Sequence, residues 1–340
     1  MTSRERIKKI ISGKTADRCG LWLGNLDLKT WEIYRTYFKV ETDEELRRKL
    51  GDDFRWFNPQ SDPALYRHPA GAPVFDYSFK KTLSGQGTAP FEHCEDPAEI
   101  ENYNWPEERY LDFSITIERM KNAGEFYRAG GMWCPFYHNL MSLFGMESYL
   151  MKMFIDSEVV HAATDRICQF YYAANERFLQ EAGDELDAIF FGNDFGTQQD
   201  LICGPAQFDE FILPWFRRFT ELGKKYNKQV ILHSCGAIHK VIGRLIAAGV
   251  DCLHPLQAKA KNMDAETLAK DFKGKISFMG GIDTQDLLVN ASPEEVAADV
   301  KRVIGQLGPC LIVSPSHEHI LPNVPPQNME ALARAITGKR

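Results

Sequence analysis

Residues 229–236, QVILHSCG, decide the fold class of this chain of 340 residues. A short aliphatic run that ends in polar and small residues is typical of a strand buried on both faces. The segment HKVIGRLIAAG follows, and its apolar residues recur at three- and four-residue spacing, which predicts an amphipathic helix. A buried strand followed by such a helix is the repeating unit of a parallel α/β sheet.

The same unit recurs along the chain. Seven further apolar runs lie at residues 19–25, 54–58, 126–131, 188–194, 252–257, 276–283 and 310–317. One helical segment between them begins at Ser292 and carries Glu295 three residues later, which is a capping-box pattern. Eight strands alternating with helices predict an α/β protein, and we expect one TIM barrel, a (β/α)₈ domain spanning residues 1–340.

Two insertions interrupt this alternation in the N-terminal half. Residues 59–104 contain the alternating stretch FDYSF and a glycine-rich turn, which predict a hairpin after the second strand. Residues 133–146, WCPFYHNLMSLFGM, form an aromatic-rich insertion after the third strand. Because insertions on strand-to-helix connections cover the end of a barrel where active sites form, we expect both over the C-terminal face.

Composition excludes several classes of protein. The net charge is −7 and no block of basic residues occurs, which argues against nucleic acid as the main partner. No apolar run is long enough to span a membrane, and the charged N-terminus lacks the apolar core of a signal peptide. We therefore expect a cytoplasmic protein without a membrane partner. Its eight scattered cysteines predict free thiols rather than a disulfide framework.

The strongest chemical pattern is the pair His233 and Cys235 at the end of the fifth predicted strand. Residues two apart on a strand point to the same face. Imidazole and thiolate are ligands that zinc favours, so the pair forms a natural half-site for that metal. The alternative is a pair that lines the barrel and binds nothing.

A third ligand is expected after the eighth predicted strand, in SPSHEHILP. The ends of the fifth and eighth strands open onto the same face of a barrel, so His317 can converge with His233 and Cys235. Glu318 and His319 follow directly, and either can take that place instead. The other reading of this segment is a histidine-rich surface loop.

Other polar or small residues end predicted strands. Asp194 and Gln257 are expected to act in catalysis by orienting the substrate, because a buried carboxylate needs a partner or a function. Gly280 and Gly281 leave space for a flat cofactor or for close approach of backbone. Asp283 either belongs to that cofactor site or caps the following helix.

Five segments carry a family resemblance. They are GNDFGTQQDLICGPAQFDEFILPWFRRF, VILHSCGAI, GVDCLHPLQ, ISFMGGIDTQDLL and SPSHEHILPNVPPQNMEAL, in this order from Gly192 onward. In these segments the chain resembles the uroporphyrinogen decarboxylase superfamily. The resemblance implies a (β/α)₈ barrel, in agreement with the strand count.

The superfamily contains decarboxylases and corrinoid-linked methyltransferases, and the motifs separate them. The decarboxylases carry arginines after the first strand that hold substrate carboxylates, whereas this chain has WLGNLDLKTWEIY there and no arginine until Arg35. The methyltransferases carry H-x-C on the fifth strand, which His233 and Cys235 match, and a third cysteine after the eighth. His317 stands at that third position, or Glu318 if the following ILP is aligned.

The resemblance therefore implies a zinc-dependent methyltransferase with His233, Cys235 and His317 as ligands. It would move a methyl group between a cobalamin, carried by a separate corrinoid protein, and a small-molecule thiol or methylated donor. The missing third cysteine means that no particular thiol is implied as the acceptor. Related barrels often pair, so a homodimer is a further expectation. The alternatives are a carboxy-lyase acting through Asp194 on a porphyrinogen or other carboxylate, and a corrinoid-pathway binding module without turnover.

Overall fold

The strands were located in a computed structural model, which describes residues 1–71, 74 and 89–338. The strands are β1 (Gly20–Leu21), β2 (Asn25–Leu26), β3 (Phe54–Phe57), β4 (Tyr127–Gly130), β5 (Ala188–Gly192), β6 (Gln229–His233), β7 (Cys252–His254), β8 (Ser277–Ile282), β9 (Leu311–Pro315) and β10 (His319–Ile320). Eight of them form one parallel sheet in the order β1-β9-β8-β7-β6-β5-β4-β3. The predicted (β/α)₈ barrel is confirmed.

Helices surround this sheet. They are α1 (Ser3–Ile11), α2 (Leu28–Phe38), α3 (Asp43–Leu50), α4 (Pro97–Glu101), α5 (Ser114–Lys121), α6 (Phe136–Phe144), α7 (Met146–Ile155), α8 (Ser157–Ala182), α9 (Pro205–Gln207), α10 (Leu213–Lys225), α11 (His239–Ala247), α12 (Ala265–Phe272), α13 (Leu287–Asn290), α14 (Pro293–Leu307) and α15 (Pro326–Thr337). The capping box predicted for Ser292 and Glu295 is present at the start of α14. Within the described ranges, no helix combines the length and apolarity needed to cross a membrane.

The insertion after the third barrel strand is helical. Its residues form α6, and α7 begins at its last residue, Met146, before the long helix α8. Of the insertion after the second barrel strand, the structure describes a short 3₁₀ turn at Pro59–Ser61 and the helix α4. The hairpin predicted around FDYSF falls outside the described residues.

Asp53 connects β1 and β3, the two end strands of the sheet, through hydrogen bonds. The backbone N–H of Asp53 donates to Leu21 O (2.9 Å), and the Asp53 carboxylate accepts from Leu21 N (3.0 Å). That carboxylate is buried but paired with Arg6 (2.8 Å) and Arg18 (2.7 Å), which offsets its desolvation. Side chains thus supply part of the pairing that closes the barrel.

The barrel interior is a packed core. Helix α1 covers the N-terminal end and inserts Ile7, Ile10 and Ile11 beneath the aromatic rings of the strands. Trp22 and Phe54 lie near one another, with ring centroids 5.2 Å apart. Because this end is filled, the open end for chemistry is the C-terminal face, as in other barrels of this type.

A short parallel ladder holds the loop after β9 in place. In it, β10 pairs with β2, and His319 lies opposite Asn25. Asn25 N donates to Glu318 O (2.7 Å), and a Cβ on Gly24 would come within 2.5 Å of that oxygen. The ladder therefore fixes the backbone of Glu318 beside the mouth of the barrel.

Replacing Gly280 by alanine is expected to destabilise the fold by about 3 kcal/mol, because overpacking and a positive φ both carry a cost. Gly280 has φ +130°, and its Cβ would lie 1.6 Å from Pro255 O. The matched control is Gly305→Ala in α14, where nothing lies within 4 Å and φ is not positive. That variant should gain about 0.5 kcal/mol or more. Urea unfolding of both measures the difference, and equal stabilities would contradict the packing described here.

Candidate metal centre

His233 and Cys235 lie side by side at the C-terminal end of the fifth barrel strand, β6. The His233 ring is buried, and its Nε2 is 3.4 Å from the Cys235 Sγ. Gly236 follows with φ +86°, and any Cβ there would strike the backbone of Gly196 at 2.2 Å. The glycine lets the chain turn directly after the cysteine, so both side chains face the mouth.

Asp194 comes from the end of the neighbouring strand β5 and joins this pair. Its Oδ1 is 3.1 Å from His233 Nε2 and accepts a hydrogen bond from Cys235 N (2.9 Å). The donor atoms of all three residues lie within 4.8 Å of one another. The sequence had suggested Asp194 as a catalytic residue, and the structure places it among the candidate ligands.

The opposite nitrogen of His233 faces a second group. His233 Nδ1 is 2.9 Å from Nδ1 of His254 and 3.7 Å from Glu318 Oε2. Glu318 Oε2 and His254 Nε2 are buried and have no hydrogen-bond partner. His254 packs against Trp22, with ring centroids 5.1 Å apart. A buried carboxylate oxygen without a hydrogen bond is costly, so Glu318 is suited to receive a proton or a cation.

His317 and His319 lie further out. The His317 side chain is 47% exposed, and its Nδ1 accepts a hydrogen bond from His319 N (3.2 Å). His319 Nε2 is 3.8 Å from Asp27 Oδ2. Neither histidine belongs to the donor groups found among the described residues, whereas Glu318 does. The assignment of His317 as third ligand stays a prediction, and its neighbour Glu318 is the residue that the fold brings to His233.

The charges of the centre favour positive charge at the position of His233. Burial lowers the pKa of His233, but the charges of Glu318 and Cys235 raise it well above its ordinary value. Burial raises the pKa of Asp194, and the hydrogen bond and charge of His233 more than reverse that effect and lower it. Burial, followed by the charge of His233, lowers the pKa of His254 well below normal, so this ring is neutral.

Gln257, the other residue expected in catalysis, fixes the turn after the ligand pair. Its Oε1 accepts a hydrogen bond from Gly236 N at 2.8 Å. The rest of its side chain lines a cavity of about 440 Å³ at the barrel mouth. Gln257 thus contacts both the backbone that carries Cys235 and the space beside it.

The two glycines of β8 differ in their surroundings, since Gly280 is closed off by backbone, whereas Gly281 and Asp283 line a cavity of about 410 Å³. The Cβ position of Gly280 is filled by Pro255 O, and that of Gly281 lies 3.3 Å from the Val303 side chain. Close approach of backbone accounts for Gly280, and a cofactor contact at Gly281 stays a prediction. Asp283 accepts hydrogen bonds from the N–H groups of Gln285, Asp286 and Leu287 at 3.0–3.2 Å. Asp283 therefore caps this turn, and its part in a cofactor site stays a prediction.

Two tryptophans border the centre on its other side. The Trp133 ring is 5.0 Å from that of His233, and Trp56 lies 5.1 Å from Trp133. The close contact requires a glycine, since a Cβ on Gly192 would meet Trp133 at 2.6 Å. Sequence reasoning had placed Trp133 at the mouth but had missed Trp56. The period of two along β3, which puts Trp56 on the same face as Phe54, was the available signal.

The donor set fits zinc. Tetrahedral zinc with nitrogen, oxygen and sulfur ligands separates the ligand atoms by about 3.5 Å. The contacts of His233 Nε2 with Asp194 (3.1 Å) and Cys235 (3.4 Å) are close to that spacing. On the opposite nitrogen, His254 Nδ1 lies at hydrogen-bond distance (2.9 Å) and Glu318 Oε2 at 3.7 Å, and a partner on the second nitrogen orients a metal-bound histidine. The residues can therefore hold the metal that the family resemblance implies.

Methyltransferases of Methanosarcina are among the known proteins to which this chain is similar. The chain is 25% identical over 232 residues to the methylcobamide:CoM methyltransferase MtbA of Methanosarcina acetivorans, a match that covers 65% of this chain and 64% of that protein. It is 28% identical over 152 residues to a methylated-thiol–coenzyme M methyltransferase of Methanosarcina mazei, covering 45% and 38%. The matches thus span less than two thirds of the length of these relatives.

A solved methyltransferase from Methanosarcina mazei has the same fold, with a TM-score of 0.67 over 98% of both chains and 15% identity. The model of the uroporphyrinogen decarboxylase (URO-D) family matches residues 83–338. Since that match covers well over half of the chain, this protein belongs to the uroporphyrinogen decarboxylase family.

Proposed function

We propose that the protein is a zinc-dependent methyltransferase. It moves a methyl group between a cobalamin on a separate corrinoid protein and a small-molecule thiol or methylated donor. The observation that carries the proposal is the cluster of Asp194, His233 Nε2 and Cys235 at the mouth of the barrel. The methyltransferases among its relatives support the same reaction class.

The metal would be held by His233 and Cys235, with Asp194 as the third donor. We prefer Asp194 to His317 because its carboxylate shares the Nε2 side of His233 with the thiol. Glu318 and His254 lie on the Nδ1 side, where they orient the ring and fix which nitrogen is free. Three protein donors leave the open position that catalytic zinc sites keep.

When bound, zinc would supply Lewis acidity to the substrate heteroatom for methyl exchange with the corrinoid of the partner protein. The residues of the chain position the ligand pair for this exchange. Asp194 and Gln257 hold the two N–H groups of the turn that carries Cys235. Trp133 packs against the buried ring of His233 in an edge-type contact, with centroids 5.0 Å apart.

The decarboxylase alternative lacks the arginines that would bind substrate carboxylates directly after β1. The first arginine after β1 is Arg35, which lies in helix α2 and forms an ion pair with Asp43. An arginine engaged in this way is not available to hold a substrate carboxylate at the mouth. No described feature of the mouth favours a porphyrinogen.

The proposal is tested by metal content and methyl transfer together. Purified protein should contain about one zinc per chain, the number that one three-ligand site predicts. With methylcobalamin as the probe and simple thiols as acceptors, we expect a methyl thioether that disappears after chelation and returns with added zinc. The proposal would be overturned if the protein, after incubation with excess zinc, neither bound the metal nor transferred a methyl group to or from any cobalamin.

A further inference from the structure

A cavity lies beside the metal centre, over the C-terminal ends of β7, β8 and β9. Its volume is about 440 Å³, within the range of small-molecule sites. Its lining combines uncharged polar side chains with apolar ones and two histidines. Among them are Gln257, Gln285, Asn323, Leu321, His317 and His319.

The cavity is connected to the proposed ligands. Gln257 lines it and binds the N–H of Gly236, the residue after Cys235. His317 lines it and precedes Glu318, whose carboxylate lies 3.7 Å from His233 Nδ1. The cavity therefore borders residues that are adjacent to the proposed ligands, and the ligands themselves lie outside its lining.

The lining carries no fixed charge. None of the described residues that line the cavity is Lys, Arg, Asp or Glu. The acids that contact its histidines, Asp27 (3.8 Å from His319) and Glu318 (3.9 Å from His317), would repel an anion. Lys259 follows Gln257 by two positions, but its Nζ lies 3.7 Å from the Asp283 carboxylate and 3.9 Å from that of Asp286.

We infer that this cavity binds the methyl donor or acceptor as an uncharged small molecule, such as a neutral methyl thioether, methyl ether or thiol. An anionic substrate would lose its hydration there without gaining a lysine or arginine partner from the lining, and that loss is costly. Amide and imidazole groups can hydrogen-bond a neutral hydroxyl, while Leu321 offers apolar contact. The inference rests on the proposed methyltransferase function and specifies its substrate class.

Matched probes that differ only in charge test this inference. The first pair is 2-(methylthio)ethanol and 2-(methylthio)ethanesulfonate, and the second is 2-methoxyphenol and 2-methoxybenzoate. Binding to the zinc-loaded protein is measured by calorimetry at about pH 8, above the ordinary pKa of imidazole. We expect the neutral member of at least one pair to bind at least about tenfold more tightly than its anion, which corresponds to about 1.4 kcal/mol.

A charge-introducing variant locates the binding in this cavity. Asn323 is exposed at its rim, so Asn323→Arg places a cation there without disturbing the core. We expect it to strengthen binding of the anionic probes by about tenfold, since a carboxylate or sulfonate gains an arginine partner. The control is Asn122→Arg, an exposed residue at the C-terminal cap of α5, which should change neither affinity.

The outcomes separate this inference from the proposed function. Tighter binding of the anions by the unmodified protein would overturn the neutral substrate class and leave the methyltransferase standing. Absence of binding for both pairs, or equal effects of Asn323→Arg and Asn122→Arg, would also overturn it. Failure of the protein to bind zinc at all would instead overturn the proposed function, because metal content is measured without any substrate.

Discussion

Replacing Cys235 by serine is expected to remove zinc from the protein and to lower methyl transfer roughly a thousandfold or more. The loss follows because metal Lewis acidity is worth several kcal/mol and about 1.4 kcal/mol is a factor of ten in rate. The Cys235 Sγ is the only sulfur in the donor groups found among the described residues. A serine hydroxyl has nearly the same shape but is a far weaker zinc ligand.

Cobalt substitution gives this prediction a readout other than activity. With Co²⁺ in place of zinc, the unmodified protein should show a thiolate-to-cobalt absorption band, and Cys235→Ser should lack it. The control is Cys310→Ser, because Cys310 is a free, half-buried thiol directly before β9, at the other end of the barrel. A Cys235→Ser protein that keeps its zinc would remove the basis of the proposed mechanism, whatever its activity.

The sequence predicted the barrel because its signals are local. Each strand is an apolar run, and each helix carries its own spacing and cap, as at Ser292 and Glu295. The pair His233 and Cys235 is local as well, since two residues of one strand end need no tertiary information to share a face. These features follow from short-range geometry, so the local sequence alone predicts them.

The third donor could not be predicted in this way. His317, Glu318 and His319 are consecutive, and which of them faces His233 depends on the ladder between β10 and β2. That ladder joins residues almost 300 positions apart along the chain, at Asn25 and His319. The position of Asp194 against Cys235 likewise depends on how β5 registers with β6. Register across strands is set by packing and hydrogen bonds that a single sequence does not display.

The sequence also left open the roles of the two glycines in β8. Gly280 and Gly281 were compatible with a ligand or with backbone, because a missing side chain does not say what occupies its place. In the fold, the carbonyl oxygen of Pro255 occupies the Cβ position of Gly280. The path of the neighbouring loop, rather than the glycine itself, decides the role.

Asp194→Asn, Glu318→Gln and His317→Ala are expected to weaken zinc binding in that order. Asp194→Asn should cost roughly a hundredfold or more, because a charged ligand becomes a neutral amide. Glu318→Gln should cost roughly 10- to 100-fold, the range for a partner that orients a ligand from the opposite nitrogen. His317→Ala should change the affinity little, since that side chain is 47% exposed and outside both donor groups.

Zinc affinity is measured by competition with a coloured chelator, and thermal unfolding of the apo proteins confirms that each variant folds. Asparagine keeps an oxygen that can accept the N–H of Cys235, so Asp194→Asn separates the loss of a ligand from the loss of the turn. If His317→Ala lost zinc as severely as Cys235→Ser while Asp194→Asn kept it, the third ligand would be His317. The loop after β9 would then have to turn inward from the position seen here, with Asp194 left to orient Cys235 through its backbone.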